Sequence, residues 1–467
     1  MNINGNLIKS LGYKPSQWWG RAIAEGNGRV FAGEDEVRQY LDGFVTPTLP
    51  LREPGQPWFK NIIPDPYNDL EVANVAAVTR HMDELMRVPT VVAGAVMPDA
   101  CPSESTLGFI PVGGVIATKD AIHPGMHSAD ICCSMFCSIL DSDVDATALL
   151  NAGMRLSHFG GGERARGSQI VPPASILDAF AQNRFLKDLT SLAIGHTGTQ
   201  GDGNHFFYVG RLASTGQVTL VTHHGSRAPG GRLYKAGMAV AESYRRKLSP
   251  ETGTHNAWIP ADTQDGEDYW SALQIIREWT KNNHRTVHDL VIEAVGAKLR
   301  DRFWNEHNFV FRKSDGLFYH AKGATPAYDG FSGDTNGLTL IPLNMAEPIL
   351  ITKGLNAANG LGFSPHGAGR NFSRSAYLKE NAGQTVEQMI ASQAPGLDVR
   401  YFSGHPDISE LPGAYKNAAA VQAQIDHFGL AQVVDMVQPI GNIMAGDWDK
   451  DAPWKKKRRA MAANAAV

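Results

Sequence analysis

The run from Gln217 to Leu248, QVTLVTHHGSRAPGGRLYKAGMAVAESYRRKL, decides how the chain is read. Its opening is rich in β-branched residues and reads as a strand. His223 and His224 end that strand, and Gly225, Ser226 and Arg227 begin a polar loop. Past the loop, apolar residues from Arg232 onward recur at helical spacing. A histidine at a strand end can face a cavity, and an arginine four residues further on can reach an anion. Strand, polar loop and helix in immediate succession predict an α+β chain that carries its chemistry on its loops.

The same grammar extends outward. From VVAGAVMPDA to FCSILDSDV, short β-rich runs alternate with Gly and Pro, and GLFYHAKGATPA and GLTLIPLNMAEPILITKG read as further strands around turns. The strongest helical periodicity runs from Glu267 to Trp304, with shorter helices predicted at VEQMIASQA and AAAVQAQIDHFG. No internal repeat or low-complexity linker divides the chain, so residues 61–450 are expected to form one large α+β unit. Residues 1–60, rich in Trp, Gly and Pro with a helical patch at EDEVRQYLDGF, read as an N-terminal extension packed on that core. Residues 451–467 carry Lys455, Lys456, Lys457, Arg458 and Arg459 in a row, a solvated tail or a non-specific phosphate contact.

Composition narrows the class. The 467 residues are 43% hydrophobic and 19% charged, as expected of a globular chain with a large core. A net charge of -4 supplies no global attraction to nucleic acid, so a polyanion needs a local basic surface. The N-terminus lacks a signal-peptide or transit pattern, and no window approaches 18 uninterrupted apolar residues. All four cysteines, Cys101, Cys132, Cys133 and Cys137, fall in one short segment. Such clustering favours metal or reactive chemistry over a disulfide framework, and the expectation is a cytoplasmic, reduced protein.

Five polar loops carry candidate chemistry. In HPGMHSADICCSMFC, Asp130 and Cys133 lie three apart, so one turn can aim a carboxylate and a thiolate at a metal. In GTQGDGNHFFYVG, glycines 198, 201 and 203 form a tight turn that presents Asn204 and His205 before an apolar strand. This loop matches neither a P-loop nor a dinucleotide fingerprint. VTHHGSRAPGG contributes His223 and Arg227, and WNEHNFVF places His307 and Asn308 after the long helix. In GLGFSPHGAGR, His366 precedes Gly367, Ala368 and Gly369, glycines that allow close backbone approach, and Arg370 is suited to phosphate. The pair His284 and His288 in HRTVH has metal-ligand spacing, but the glutamate of H-E-x-x-H is missing, so it reads as surface or packing.

Taken in order, VMPDACPSESTLGFIPVGGVIATKDAIHPGMHSADICCSM, GTQGDGNHFF, THHGSR, EHNFVF with HAKGATPA, IPLNM and SPHGAGRNFSR resemble the RtcB family of RNA-splicing ligases, over roughly residues 90 to 376. The resemblance implies a single large α+β domain built around a deep two-metal cleft. It also implies joining of RNA 2′,3′-cyclic phosphate or 3′-phosphate ends to 5′-hydroxyl ends, with GTP and two Mn(II) ions. By that resemblance Asp130, Cys133, His205, His223 and His307 fall on metal ligands, with the thiolate bridging both ions. His366 falls on the histidine that is guanylylated, and Asp99 on the aspartate that orients it. Asn204, Phe206, Asn308, Asn344, Met345, Gly367, Ala368 and Gly369 fall on nucleotide-contacting positions, and Arg227 and Arg370 on phosphate or RNA contacts.

The departures concentrate on the base. Tyr208 stands where the family usually has a guanine-reading glutamate, and Met444 where it has a guanine-contacting lysine. The family's PGSMG loop appears as PLNMA, Pro342 to Ala346, and Cys101 replaces a common histidine. These differences suggest a divergent paralogue for RNA repair or tRNA splicing. They keep two alternatives open: a metal-dependent RNA phosphatase or nuclease, and a non-catalytic RNA-binding paralogue.

Overall fold

The chain from Leu299 to Arg312 belongs to two sheets in turn. In the computed structural model, which describes residues 2–13, 15, 18–44, 48–331 and 336–447, Leu299–Glu306 edges an eight-stranded sheet and Asn308–Arg312 edges a five-stranded one. His307 alone lies between them. The larger sheet runs Leu299–Glu306, Ser134–Leu140, Val218–His224, Phe206–Leu212, Ala431–Met444, Ile349–Gly354 and Leu338–Ile341, all antiparallel, with Asp398–Tyr401 parallel to Ala431–Met444. The smaller runs Phe59–Lys60, Val91–Cys101, Val112–Thr118, Phe318–Lys322 and Asn308–Arg312. The mixed α+β expectation therefore holds.

The helix Gln264–Ala294 packs across Ser134–Leu140 and Val218–His224. Every residue of Val218–His224 is buried, so that strand is covered on both faces rather than alternating between core and solvent. Thr263 starts the helix by accepting from the Gly266 N–H at 3.1 Å. Gly296, at φ +64°, ends it: its N–H donates to Glu293 O at 3.0 Å and that of Ala297 to Ile292 O at 3.0 Å. This left-handed cap corrects the sequence expectation of a helix to Trp304. Val291, Val295, Leu299 and Phe303 continue the four-residue spacing past Gly296, but the last two belong to a strand. His307 and Asn308 therefore follow a strand and not the long helix.

The 14-residue strand Ala431–Met444 is a second departure, since Pro439 argues against it locally. The proline falls where the register with Phe206–Leu212 shifts, between Pro439 and Gly441, which accommodates its missing N–H. The N-terminal residues form three helices, Gly5–Ser10, Trp18–Gly26 and Glu34–Asp42, which bury Ile8, Val37 and Leu41 in an apolar cluster of their own. Only the third was legible as a helix. The basic run Lys455 to Arg459 lies outside the described residues. Among the described residues no helix is long and apolar enough to cross a membrane.

Candidate active site

Strand register alone gathers the first group of side chains. Ser134 pairs with both His224 and Glu306, and His223 pairs with Phe206. Cys133, His205, His223 and His307 are therefore brought to one end of four adjacent strands. A turn closed by Cys133 N–H donating to Asp130 O at 3.2 Å adds the aspartate. Gly225 packs so closely on Asp130 that any side chain there would strike its carboxylate.

The donor atoms converge. Cys133 Sγ lies 3.1 Å from His223 Nε2 and 3.5 Å from His205 Nε2. His205 Nε2 is 3.3 Å from Asp130 Oδ2, and His223 Nε2 is 3.1 Å from His307 Nε2. Ligands of one tetrahedral ion at ordinary bond lengths lie about 3–4 Å apart. His223 Nδ1 donates to Asn204 O at 3.0 Å, which leaves its Nε2 lone pair facing the cluster. Burial holds His223 down at about 3 and His307 well below the usual imidazole range, so both rings are neutral. Burial opposes the Asp130 carboxylate, but hydrogen bonding and charge from His205 outweigh it and hold the carboxyl at about 2. Burial pushes the Cys133 thiol well up, so deprotonation there requires a cation. A carboxylate, a sulfur and three imidazoles form a donor set that fits divalent cations of the Zn, Mn, Fe or Co type.

His366 comes from the other side of the cleft. It follows Phe363–Pro365, which pairs with Ala324–Pro326. Its Nδ1–H donates to Asp99 Oδ2 at 2.6 Å, and its backbone N–H reaches the same oxygen at 3.2 Å. Asp99 accepts, so the proton resides on Nδ1 and Nε2 keeps its lone pair. Asp99 is fully buried in Val91–Cys101 of the smaller sheet. Gly369, at φ +74°, lets the following loop press against the Asp99 carbonyl where any side chain would collide. The His366 and His307 ring centroids are 4.8 Å apart, so the carboxylate-held imidazole abuts the thiol–histidine cluster.

Both groups open on one cleft of about 390 Å³. Asp130, Cys133, Asn204, Phe206, His223, His307, Asn308, Asn344, Met345, His366, Gly367, Ala368, Gly369 and Arg370 of the sequence-predicted set line it. Arg227 does not. Its guanidinium donates to Gly160 O at 2.7 Å and Thr199 Oγ1 at 3.1 Å, bracing the loop beneath His205. Arg370 lines the cleft but spends its donors on Phe372 O at 3.1 Å, Ser409 O at 2.7 Å and Glu410 Oε2 at 3.2 Å. Asn344 Oδ1 accepts from the N–H groups of Ala346 and Glu347 at 2.9 and 3.1 Å, fixing the PLNMA turn.

The family whose model matches residues 163–445 is described as tRNA-splicing ligase RtcB. The chain belongs to the RtcB family. A Pyrococcus horikoshii relative named tRNA-splicing ligase RtcB is 28% identical over 284 residues, covering 52% of this chain and 32% of the relative. An Aeropyrum pernix protein of the same name is 28% identical over 318 residues, covering 59% and 63% respectively. An Escherichia coli protein named RNA-splicing ligase RtcB1 is 25% identical over 362 residues, 70% of this chain and 85% of its own length. This chain thus spans about a third of the Pyrococcus relative it matches.

The RtcB match begins at residue 163, so Asp99, Asp130 and Cys133 lie ahead of it. The fold nevertheless returns all three to the cleft end occupied by His223 and His307. Sequence reading missed Glu410, Tyr415, Arg374 and Asn442, which also line the cleft. Glu410 and Tyr415 lie in segments with no local motif, whereas Arg374 closes the SPHGAGRNFSR stretch. Asn442 carried a signal, since it stands two residues before Met444 and must share that residue's strand face.

Proposed function

We propose that this chain is an RNA ligase that joins a 2′,3′-cyclic phosphate or 3′-phosphate end to a 5′-hydroxyl end through a nucleotidylated His366, with Mn(II) and a nucleoside triphosphate that the family resemblance alone gives as GTP, in RNA repair or tRNA processing. The observation that carries the reading is the carboxylate-held imidazole of His366 against the Cys133–His223–His307 cluster. Family membership supports it, as do relatives named for tRNA splicing or RNA splicing.

Asp130, Cys133, His205, His223 and His307 would hold the divalent cations, which would neutralise phosphate charge. Asp99 keeps the proton on His366 Nδ1, so Nε2 attacks the nucleotide α-phosphorus and pyrophosphate leaves. The RNA 3′-phosphate oxygen then displaces the histidine, which recovers its Nε2 lone pair. A cyclic phosphate must first be opened by water. In the last step the 5′-hydroxyl attacks the activated phosphate, and the nucleoside monophosphate departs as the phosphodiester forms. The Gly367–Ala368–Gly369 backbone admits phosphate beside the ring because it carries no side chain larger than a methyl.

Incubation with Mn(II) and α-labelled nucleotide tests the reading. It expects an acid-labile adduct that disappears in His366→Ala, and joined RNA as the product. RNA that is shortened or dephosphorylated without joining, with activity surviving in His366→Ala, would instead identify a metal-dependent phosphatase or nuclease.

A further inference from the structure

The cleft has a second end, built to a different rule. Phe206 and Tyr208 on one strand stand opposite Met444 and Asn442 on the next, and all four line the cleft. The Tyr208 hydroxyl turns away and donates to Val437 O at 2.9 Å, so the cleft meets only its ring. Leu343, Met345 and Ile349 extend the apolar wall. Glu410 also brings a carboxylate to the cleft wall, but its charge is spent: Arg374 Nε lies at 2.7 Å, Arg370 at 3.2 Å and the Tyr415 hydroxyl at 2.5 Å.

Asn442 is different. It is 1% exposed, and neither its Oδ1 nor its Nδ2 has a partner. Buried polar groups in folded proteins are nearly always paired, so an amide idle at both ends in a cleft wall marks a place for a ligand. That ligand must be flat enough for an aromatic and thioether slot and must offer one donor beside one acceptor.

We propose that the Asn442 carboxamide reads the nucleobase and selects adenine over guanine, an inference that rests on nucleotidyl transfer at His366. Adenine presents its N6 amino group next to a ring nitrogen, and an asparagine amide satisfies both at once. Guanine presents two adjacent donors, N1–H and N2–H, a pattern that calls for a carboxylate. Set against Asn442 it uses O6 and N1–H and leaves its amino group buried without an acceptor. The penalty corresponds to about a tenfold or greater preference for adenine. Cytosine offers the adenine-like pair on a single ring and buries less surface against Tyr208 and Met444.

Equilibrium binding of the α,β-methylene analogues of ATP, GTP and CTP to the full chain in Mn(II) decides the matter. ATP analogue should bind about tenfold or more tightly than GTP analogue. Asn442→Leu should erase the preference, and Asn442→Asp should swing it towards guanine. Should the leucine variant fail to fold, Asn442→Ser removes the amide with less change of shape. Equal or tighter binding of the guanine analogue by the unsubstituted protein overturns the proposal, as does a preference that persists without the amide. Labelling separates this idea from the one beneath it. A His366 adduct from GTP alone removes the adenine assignment and leaves nucleotidyl transfer standing. No adduct from any nucleotide removes transfer, while analogue binding still decides the base.

Discussion

His223 and His224 are neighbours in sequence and face opposite sides of the strand Val218–His224. On the His224 side, His284 and His288 reach down from the long helix into a set of hydroxyls. His284 contacts Thr222 Oγ1 at 2.7 Å and Ser134 Oγ at 3.0 Å, and His288 contacts Thr222 Oγ1 at 2.9 Å and Ser138 Oγ at 2.9 Å. On the His223 side, imidazole nitrogens face a sulfur and one another at 3.1 Å, with no hydroxyl between them. Burial depresses protonation on both sides. The difference is what each lone pair meets. Rings that share protons with hydroxyls are finished structure, whereas rings whose lone pairs converge on a sulfur need a cation to be stable together.

The largest effect that tests this contrast is on metal content. Cys133→Ala or His223→Ala should reduce bound Mn(II) or Zn from stoichiometric to near zero by elemental analysis after gel filtration. His284→Leu should leave it unchanged. Equal metal loss in both classes would erase the distinction between the two faces. Next in size is the proposed nucleophile: His366→Ala should retain metal and form no nucleotide adduct. Asp99→Asn replaces the charged acceptor of the Nδ1 proton with a neutral amide, and should slow adduct formation by about 10²–10⁴-fold at unchanged metal content.

How much of this was legible in the sequence follows from the same contrast. The strand-end loops carrying Asp130, Cys133, His205, His223, His307 and His366 could be read because Gly and Asn punctuation marks them. Their convergence could not be derived from spacing, because it depends on antiparallel register across four strands and on the return of Asp99 from another sheet. The helix over 264–294 was legible by period, but its end was not: the apolar four-residue spacing runs through Gly296, and only the left-handed cap reveals the stop. His284 and His288 read as surface or packing residues, and both are buried and hydrogen-bonded. Their hydrogen-bonded partners, however, are hydroxyls contributed by strands 60 to 150 residues away, which no helical pattern announces.

Acid should reach the finished, hydroxyl-type histidines through the fold. His123, held by Thr90 and Asn256, is pushed down to about 3 by burial, and His127, held by Ser128 and Tyr269, to about 4. Folded values below the unfolded one mean that the unfolded chain binds more protons. Stability is therefore complete above about pH 6.5 and falls as pH drops towards 3–4, by on the order of 3 kcal/mol for His123 alone at pH 4. Urea titrations from pH 7 to 4 on metal-free protein should show this fall, and a flat profile would count against neutral buried rings. A smaller loss is expected for His288→Leu, which leaves Thr222 and Ser138 short of a partner. About 1–3 kcal/mol of stability should go, with metal content intact.

The smallest effect sharpens the contrast at the other end of the cleft. Tyr208 stands where the family resemblance places a base reader, yet its hydroxyl donates to Val437 O and burial pushes that phenol up, so it serves as a neutral donor to the backbone. Tyr208→Phe keeps the ring that walls the slot and removes only that bond. Stability should fall by about 1 kcal/mol, read as a shift in urea midpoint, while nucleotide affinity and base preference stay within about twofold. A changed base preference in Tyr208→Phe would put the hydroxyl among the recognition groups and transfer to it the role argued for Asn442. An unchanged preference leaves the orphaned amide as the group with hydrogen bonds to offer on that strand face.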